Sequence, residues 1–394
     1  MEVERVAVVG AGTMGASITV SLVSHGYPVL LKEANDELLK VGMANIERIQ
    51  KKRAIKGVEP GTIEKENALL TGTTSFEDFA DIDLAIEAVP EKLAIKKEVF
   101  EALDEFTNLN AILATNTSSL SITQIGAFTR RPDKVVGLHF FNPAHLMKLV
   151  EVIPGLETSE DTVETALNLG RSCDKLSIRV EECPSFLVNR LLGRYMNESL
   201  FCLQSGLADI ETIDAVASDF VVPIGPLALR DMNGADIGLA VADYNFQGYG
   251  ARYEIPSILK KMVEMNLLGR KTGQGFYIYD SETRKISGIN PKIDSLVKSA
   301  SSSKAKKLDP LILFLPMINE AFLVMQERIC SPLDLDPAMK AGLGMRKGPL
   351  AIAEEIGLSE CLKLTQKYCD HSPERFRPAP LLKRFVYAGR STIF

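Results

Sequence analysis

The chain has 394 residues, length for two or three domains with full cores. With 46% hydrophobic residues, 24% charged residues and a net charge of −6, it reads as an ordinary globular protein. Neither a basic surface for nucleic acid nor an apolar run of membrane-spanning length is expected.

The opening residues read as a strand, Val6-Ala7-Val8-Val9, and not as a signal peptide. Directly after it, Gly10, Gly12 and Gly15 fall at G-x-G-x-x-G spacing, with Thr13 and Met14 between the last two. Met14, Ile18, Leu22 and Val23 then recur at helical spacing up to His25-Gly26, and a second apolar run, Val29-Leu30-Leu31, ends in Lys32-Glu33. Glycines at such spacing also line up by chance, but strand, glycine turn, helix and strand followed by an acid make a dinucleotide-binding unit. Gly10 allows the tight turn, Gly12 the approach of a pyrophosphate, and Gly15 the packing of helix on strand. The helix N-terminus offers free N–H groups to phosphate. Glu33 is placed to accept from both ribose hydroxyls and to repel a 2′-phosphate, so the expected cofactor is NAD and not NADP.

The charged segment ANIERIQKKRAIKGVEPGTIEKENALL reads as a helical hairpin projecting from a sheet. Its Lys51-Lys52-Arg53 run is either a solvated face or a phosphate contact. Further strands are expected at 83–89, 111–115, 134–140, 148–153 and 176–180. Strands alternating with helices predict a Rossmann-type doubly wound α/β sheet over residues 1–183.

The segment ATNTSSLSITQI ends a strand in Thr117, Ser118 and Ser119, at the edge where such sheets bind ligands; the same hydroxyls would also serve as a helix N-cap cluster. His139 closes the apolar strand KVVGLHFFNP, and MKLVEVI follows with Glu151 inside it. A hairpin centred near residue 145 sets His139 opposite Glu151 on one face, close enough to hydrogen-bond. A carboxylate in an apolar strand needs a partner, and a histidine held by one suits a general base; a buried structural pair is the other reading. His145, in the turn, is expected to be solvated.

From Ser185 onward the patterns are helical. Asn189, in SFLVNRLL, is expected as a buried amide in need of a partner, which a substrate could supply. The stretch from Met196 repeats from Ile318: Asn197-Glu198 matches Asn319-Glu320, Asp214 matches Asp336, and Gly225-Pro226-Leu227 matches Gly348-Pro349-Leu350. Between the copies, KSASSSKAKKLDP reads as a linker. The expected organisation is a sheet domain (1–183) and an all-helical duplicated region (184–298 and 309–394). The second copy's counterpart to FLVNRLL reads LILFLPM, with an apolar residue where Asn189 stands. The copies are therefore expected to pack on one another as an internal pseudo-dimer in a monomer, a homodimer being the alternative.

Six scattered cysteines without a C-x-x-C pair argue against a zinc site, any other metal centre or a disulfide framework, and fit a reducing cytoplasm.

VVGAGTMGASI, ATNTSSLSI, GLHFFNPAHLMKLVEVI, CPSFLVNRLL and GRKTGQGFYIY together resemble the 3-hydroxyacyl-CoA dehydrogenase family, in that family's order and over essentially the whole chain. The resemblance implies a catalytic dyad of His139 and Glu151, with Ser118 and Asn189 on the reacting oxygens of a (3S)-hydroxyacyl thioester. It implies NAD contacts from Glu33, Glu91, Lys96, Ser118, Asn142 and Lys271, and places Lys52 near the CoA nucleotide. Glu33 stands where the family usually has aspartate, which preserves the charge. The duplicated helical region resembles the dehydrogenase portion of multifunctional fatty-acid oxidation enzymes, and leaves open a longer fusion with an enoyl-CoA hydratase. Two rival readings are a dehydrogenase of free hydroxy acids, as in crystallin-like relatives that act on sugar acids, and a nucleotide-binding protein without turnover. The intact Ser118, His139, Glu151 and Asn189 set argues against the latter.

Overall fold

The computed structural model describes residues 2–297 and 308–394. Residues 298–307, most of the expected linker, lie outside the described residues. The chain divides into two compact units, Met1–Phe186 and Leu187–Phe394.

The first unit runs β1 (Val6–Val9), α1 (Thr13–Val23), β2 (Val29–Lys32), α2 (Asp36–Ile55), α3 (Pro60–Ala68), β3 (Leu70–Thr73), β4 (Leu84–Glu87) and α4 (Leu93–Phe106). It continues through β5 (Ile112–Thr115), α5 (Ile122–Gly126), β6 (Val135–Phe140), β7 (Leu149–Pro154), α6 (Glu160–Ser172) and β8 (Leu176–Arg179). The eight strands form one sheet in the order β3-β2-β1-β4-β5-β6-β7-β8. All neighbours are parallel except β6 and β7. Strands β1, β4, β5, β6 and β7 are buried at every residue, as sheets covered by helices on both faces require. Strand order reverses on either side of β1, and the carboxyl ends of β1 and β4 there form the switch point at which such sheets bind ligands. The edge strand β3 was not anticipated: Leu-Thr-Gly-Thr has no apolar run and half of it is exposed, so only its pairing with β2 makes it a strand. The predicted helical hairpin is α2 and α3, tied together where Glu66 accepts from Arg53 and Gln50.

The second unit is helical: α7 (Val188–Gln204), α8 (Ile210–Phe220), α9 (Pro226–Asn233), α10 (Ala235–Tyr249), α11 (Ser257–Glu264), then α12 (Leu311–Glu327), α13 (Pro332–Leu343), α14 (Pro349–Ile356), α15 (Leu358–Cys369), α16 (Pro373–Phe376) and α17 (Pro380–Tyr387). It departs from the all-helical expectation in one place. The strands β9 (Tyr277–Tyr279) and β10 (Ile286–Ile289) form an antiparallel hairpin, too short to read from periodicity and held by tertiary hydrogen bonds. Tyr277 Oη donates to Asp214 at 2.7 Å and Tyr279 Oη to Asp231 at 3.1 Å.

The sequence repeat is also a repeat of contacts. Asp214 accepts from the N–H groups of Leu227 and Ala228, capping α9; Asp336 accepts from Leu350 and Ala351, capping α14. A Cβ at Gly225 would lie 2.3 Å from Asp214, and one at Gly348 2.2 Å from Asp336, so only glycine lets each cap close. Asn197 Nδ2 donates to Glu254 O and Asn319 Nδ2 to Arg377 O. Between the copies the contacts are reciprocal. Arg375 of the second meets Glu198 of the first at 3.2 Å, and Arg252 of the first meets Glu320 of the second at 3.2 Å. Residue pairs exchanged in this way are the signature of a two-fold interface. Here it lies within one unit, around α7 and α12, where Tyr195 stacks on Phe314 at 4.6 Å.

Candidate active site

The glycine turn closes β1. Gly10 adopts φ +98°, which an L side chain rarely reaches, and its N–H donates to Lys32 O at 2.8 Å. A Cβ on Gly15 would stand 1.7 Å from Gly10 O, so α1 can pack on the turn only through glycine; a Cβ on Gly12 would meet no protein atom within 4 Å. Gly12 caps α1 with no side-chain bond to the helix N–H groups, and the first turn, beginning Thr13-Met14, holds no acid. An anion fits such an end. Glu33, at the end of β2, accepts from Ala11 N–H at 2.5 Å and from its neighbour Ala34 N–H, which fixes its carboxylate on the turn. The cradle, the bare helix end and the acid suit an NAD-type dinucleotide.

At the end of β4 the sequence places a second acidic centre. Glu87 is fully buried and accepts both from Lys96 Nζ (2.7 and 2.8 Å) and from Thr115 Oγ1 (2.7 Å). Lys96 also meets Glu91 at 3.2 Å. Glu91 Oε1 accepts from Thr117 Oγ1, from Ser118 N–H at 3.0 Å and from Ser119 Oγ at 3.1 Å. Burial works against ionisation of Glu91, but Lys96 and the bonds from Thr117 and Ser118 outweigh it and hold its pKa below the usual carboxylate range. The hydroxyl cluster thus gathers on Glu91; the N-cap of α5 is Ser121, which accepts from Gln124 N–H.

His139 and Glu151 are register partners across β6 and β7, with Nδ1 2.7 Å from Glu151 Oε2. Both are buried, and Phe141 and Phe186 flank the imidazole at 4.6 and 5.8 Å between ring centroids. The bond to Glu151 sets the proton on Nδ1 and leaves Nε2 as the basic nitrogen.

His145 corrects its expectation. It is half-buried, with Nδ1 2.8 Å from Ser17 Oγ on α1, because the β6–β7 loop folds back over that helix. Burial, and then Arg53, Lys175, Lys56 and Lys52, push its pKa down and favour neutral imidazole. It helps line a cleft of about 400 Å³ with Thr13, Ser17, Lys52, Arg53 and Asn142, to which Arg48 and Lys56 add charge. In the basic run, Lys51 pairs with Glu47 and Arg53 with Glu66, whereas Lys52 is exposed toward the cleft.

Asn189 and Lys271 belong to the second unit. Asn189 stands in the first turn of α7, between buried Val188 and Arg190, and is half-buried where full burial was expected. Lys271 Nζ pairs with Asp236 at 2.5 Å.

Residues 5–183 match the NAD-binding domain of 3-hydroxyacyl-CoA dehydrogenase, and residues 186–279 and 312–392 each match its C-terminal domain. The chain belongs to the 3-hydroxyacyl-CoA dehydrogenase family. A 3-hydroxybutyryl-CoA dehydrogenase of Clostridioides difficile is 43% identical over 279 residues, 70% of this chain and 99% of that one. The peroxisomal fatty acid β-oxidation multifunctional protein MFP2 of Arabidopsis thaliana is 32% identical over 97% of this chain but 54% of its own length; this chain spans about half of such relatives. The crystal structure of an Escherichia coli 3-hydroxybutyryl-CoA dehydrogenase superposes with a TM-score of 0.87 at 31% identity, covering 98% of this chain and 99% of that one.

The family's NAD-binding domain makes NAD the cofactor, and the family's C-terminal domain is matched twice along this chain. Sequence reasoning about this 3-hydroxyacyl-CoA dehydrogenase family member missed Glu87, Thr115, Asp236 and the Ser17–His145 pair. Glu87 carried one signal, an acid ending an otherwise apolar strand. Among the described residues no helix is long and apolar enough to cross a membrane.

Proposed function

We propose that the chain oxidises (3S)-hydroxyacyl-CoA to 3-oxoacyl-CoA, reversibly, as fatty-acid β-oxidation or 3-hydroxybutyryl-CoA metabolism requires. The observation that carries this reading is the buried 2.7 Å His139–Glu151 contact beside an NAD-type glycine turn in one sheet. NAD, when bound, supplies the hydride acceptor. His139 Nε2 takes the proton of the C3 hydroxyl, and Glu151 stabilises the imidazolium that forms. Ser118 and Asn189 hold the substrate oxygens, so that orientation as well as basicity lowers the barrier. Glu33 takes the adenosine ribose hydroxyls, and Glu91, Asn142 and Lys271 serve the rest of the cofactor. Lys96, expected as a direct contact, is only 1% exposed because it is paired with Glu87 and Glu91, and so acts through Glu91. The exposed Lys52 receives the phosphates of CoA, supported by the basic cleft beside it.

The reading extends to assembly and place. The two helical copies form a closed pseudo-dimer within a monomer, and the scattered cysteines, with no C-x-x-C pair in the sequence, support a reducing compartment, the cytoplasm. A fusion with an enoyl-CoA hydratase in the whole protein is supported by the multifunctional relatives.

Acetoacetyl-CoA and free acetoacetate, each with NADH, test the activity. Reduction of the thioester alone is expected. Reduction of the free acid at a comparable kcat/KM would overturn the thioester reading, and reduction of neither would overturn the enzyme reading.

A further inference from the structure

Glu87 and Lys96 are 0% and 1% exposed and are paired with one another, so neither presents its charged group at the surface. A buried ion pair of this kind is weak evidence for stability, since apolar residues of similar volume often hold a fold as well. Its geometry points elsewhere. Glu87 fills its acceptor sites with Val89 N–H, Thr115 Oγ1 and Lys96 Nζ twice, which leaves Lys96 one direction in which to point. That direction is Glu91, which is 38% exposed and collects Thr117, Ser118 and Ser119. A second route runs from Glu87 through Thr115 Oγ1 to Thr117 N–H at 3.2 Å. Both routes end on the loop that carries Ser118.

We propose that Glu87 is a positioning residue for the reaction, acting through Lys96 and Glu91 and through Thr115 to fix the Thr117–Ser119 loop so that Ser118 meets the substrate oxygen. Glu87 touches neither substrate nor cofactor. With a glutamine there, Lys96 loses its first counter-charge and is drawn fully onto Glu91. Glu91 then releases part of the loop, and Ser118 loses its fixed orientation. The inference rests on the assignment of Ser118 to the substrate.

The test is a double-mutant cycle of Glu87→Gln with Ser118→Ala, read by kcat and KM for acetoacetyl-CoA and by NADH binding in fluorescence titration. Glu87→Gln should lower kcat about ten-fold or more, with a smaller change in the NADH dissociation constant. In the Ser118→Ala background the same change should cost less than about two-fold, because residues acting as one unit are not additive. An equal cost in both backgrounds, or a wild-type kcat in Glu87→Gln, would overturn the proposal. A wild-type kcat in Ser118→Ala would instead overturn the assignment of Ser118. If Glu87→Gln does not fold, the charge-neutral pair Glu87→Gln with Lys96→Met replaces it. A kcat that recovers together with the melting temperature would then make the pair merely structural and overturn the proposal; a restored melting temperature with kcat still ten-fold down supports it.

Discussion

His139 and Glu151 face one another across an antiparallel strand pair with 2.7 Å between Nδ1 and Oε2, both side chains closed off from solvent. The contact orients the imidazole and provides a counter-charge where a proton is to be taken. His139→Gln should lower kcat by roughly 10²–10⁴-fold, the usual worth of a positioned acid–base group, with NADH affinity nearly unchanged. Steady-state kinetics and a binding titration check both halves; near-wild-type turnover would mean that another group is the base. Glu151→Gln should also cost turnover, because the imidazolium that forms loses its counter-charge.

Gly12 and Gly15 should separate binding from folding. A Cβ on Gly12 meets no protein atom, so Gly12→Ala should melt within a few degrees of wild type yet bind NADH more weakly, the methyl standing where the pyrophosphate approaches. A Cβ on Gly15 collides with Gly10 O, so Gly15→Ala should lower the melting temperature as well. Calorimetry alongside NADH titration distinguishes the two; equal melting losses would contradict the idea that Gly12 is reserved for ligand.

Glu33 should set the cofactor preference. Its carboxylate excludes a 2′-phosphate by repulsion, so wild type should favour NADH over NADPH in kcat/KM, and Glu33→Ala should weaken NADH use more than NADPH use. An equal or better kcat/KM with NADPH in the wild type would sink this assignment.

Asp231 carries a pH dependence of stability. Burial raises its pKa from 3.8 to about 6, against bonds from Tyr277 N–H, Phe276 N–H and Tyr279 that pull it down. A carboxyl protonated more readily in the folded state contributes its stability fully below about pH 3.8 and loses it as pH rises through about 6. Wild type should therefore lose up to roughly 3 kcal/mol relative to Asp231→Asn between about pH 4 and about pH 6, and nothing further above it. Urea midpoints at several pH values measure the difference, and a pH-independent gap would rule the effect out.

The internal pseudo-dimer should fail when it is halved. Removing the second copy strips Phe314 from Tyr195 and leaves fully buried Arg190 without Glu320 and Glu327. A fragment of residues 1–300 should dimerise or aggregate, because it exposes a large apolar face with uncompensated charge. Light scattering on the intact chain and the fragment decides it; a fragment that stays monomeric and fully active would show that the second copy covers nothing essential.

What was legible in the sequence is what short-range geometry encodes. The glycine turn between β1 and α1 follows from spacing, and the His139–Glu151 contact from two apolar strands and the length of the turn between them, since a hairpin's register is fixed by its loop. The repeated helical copies follow from matching residues along the chain. Tertiary structure decided the rest, because it rests on partners that no local period relates. Sheet order alone sets β5 beside β4 and brings Thr115 to Glu87, 28 residues away. The fold of one loop over α1 gives His145 to Ser17 across 128 residues and takes it out of solvent. The pairing of copies sends Arg375 to Glu198 across 177, a choice that depends on which apolar faces remain to be buried once each helix has formed.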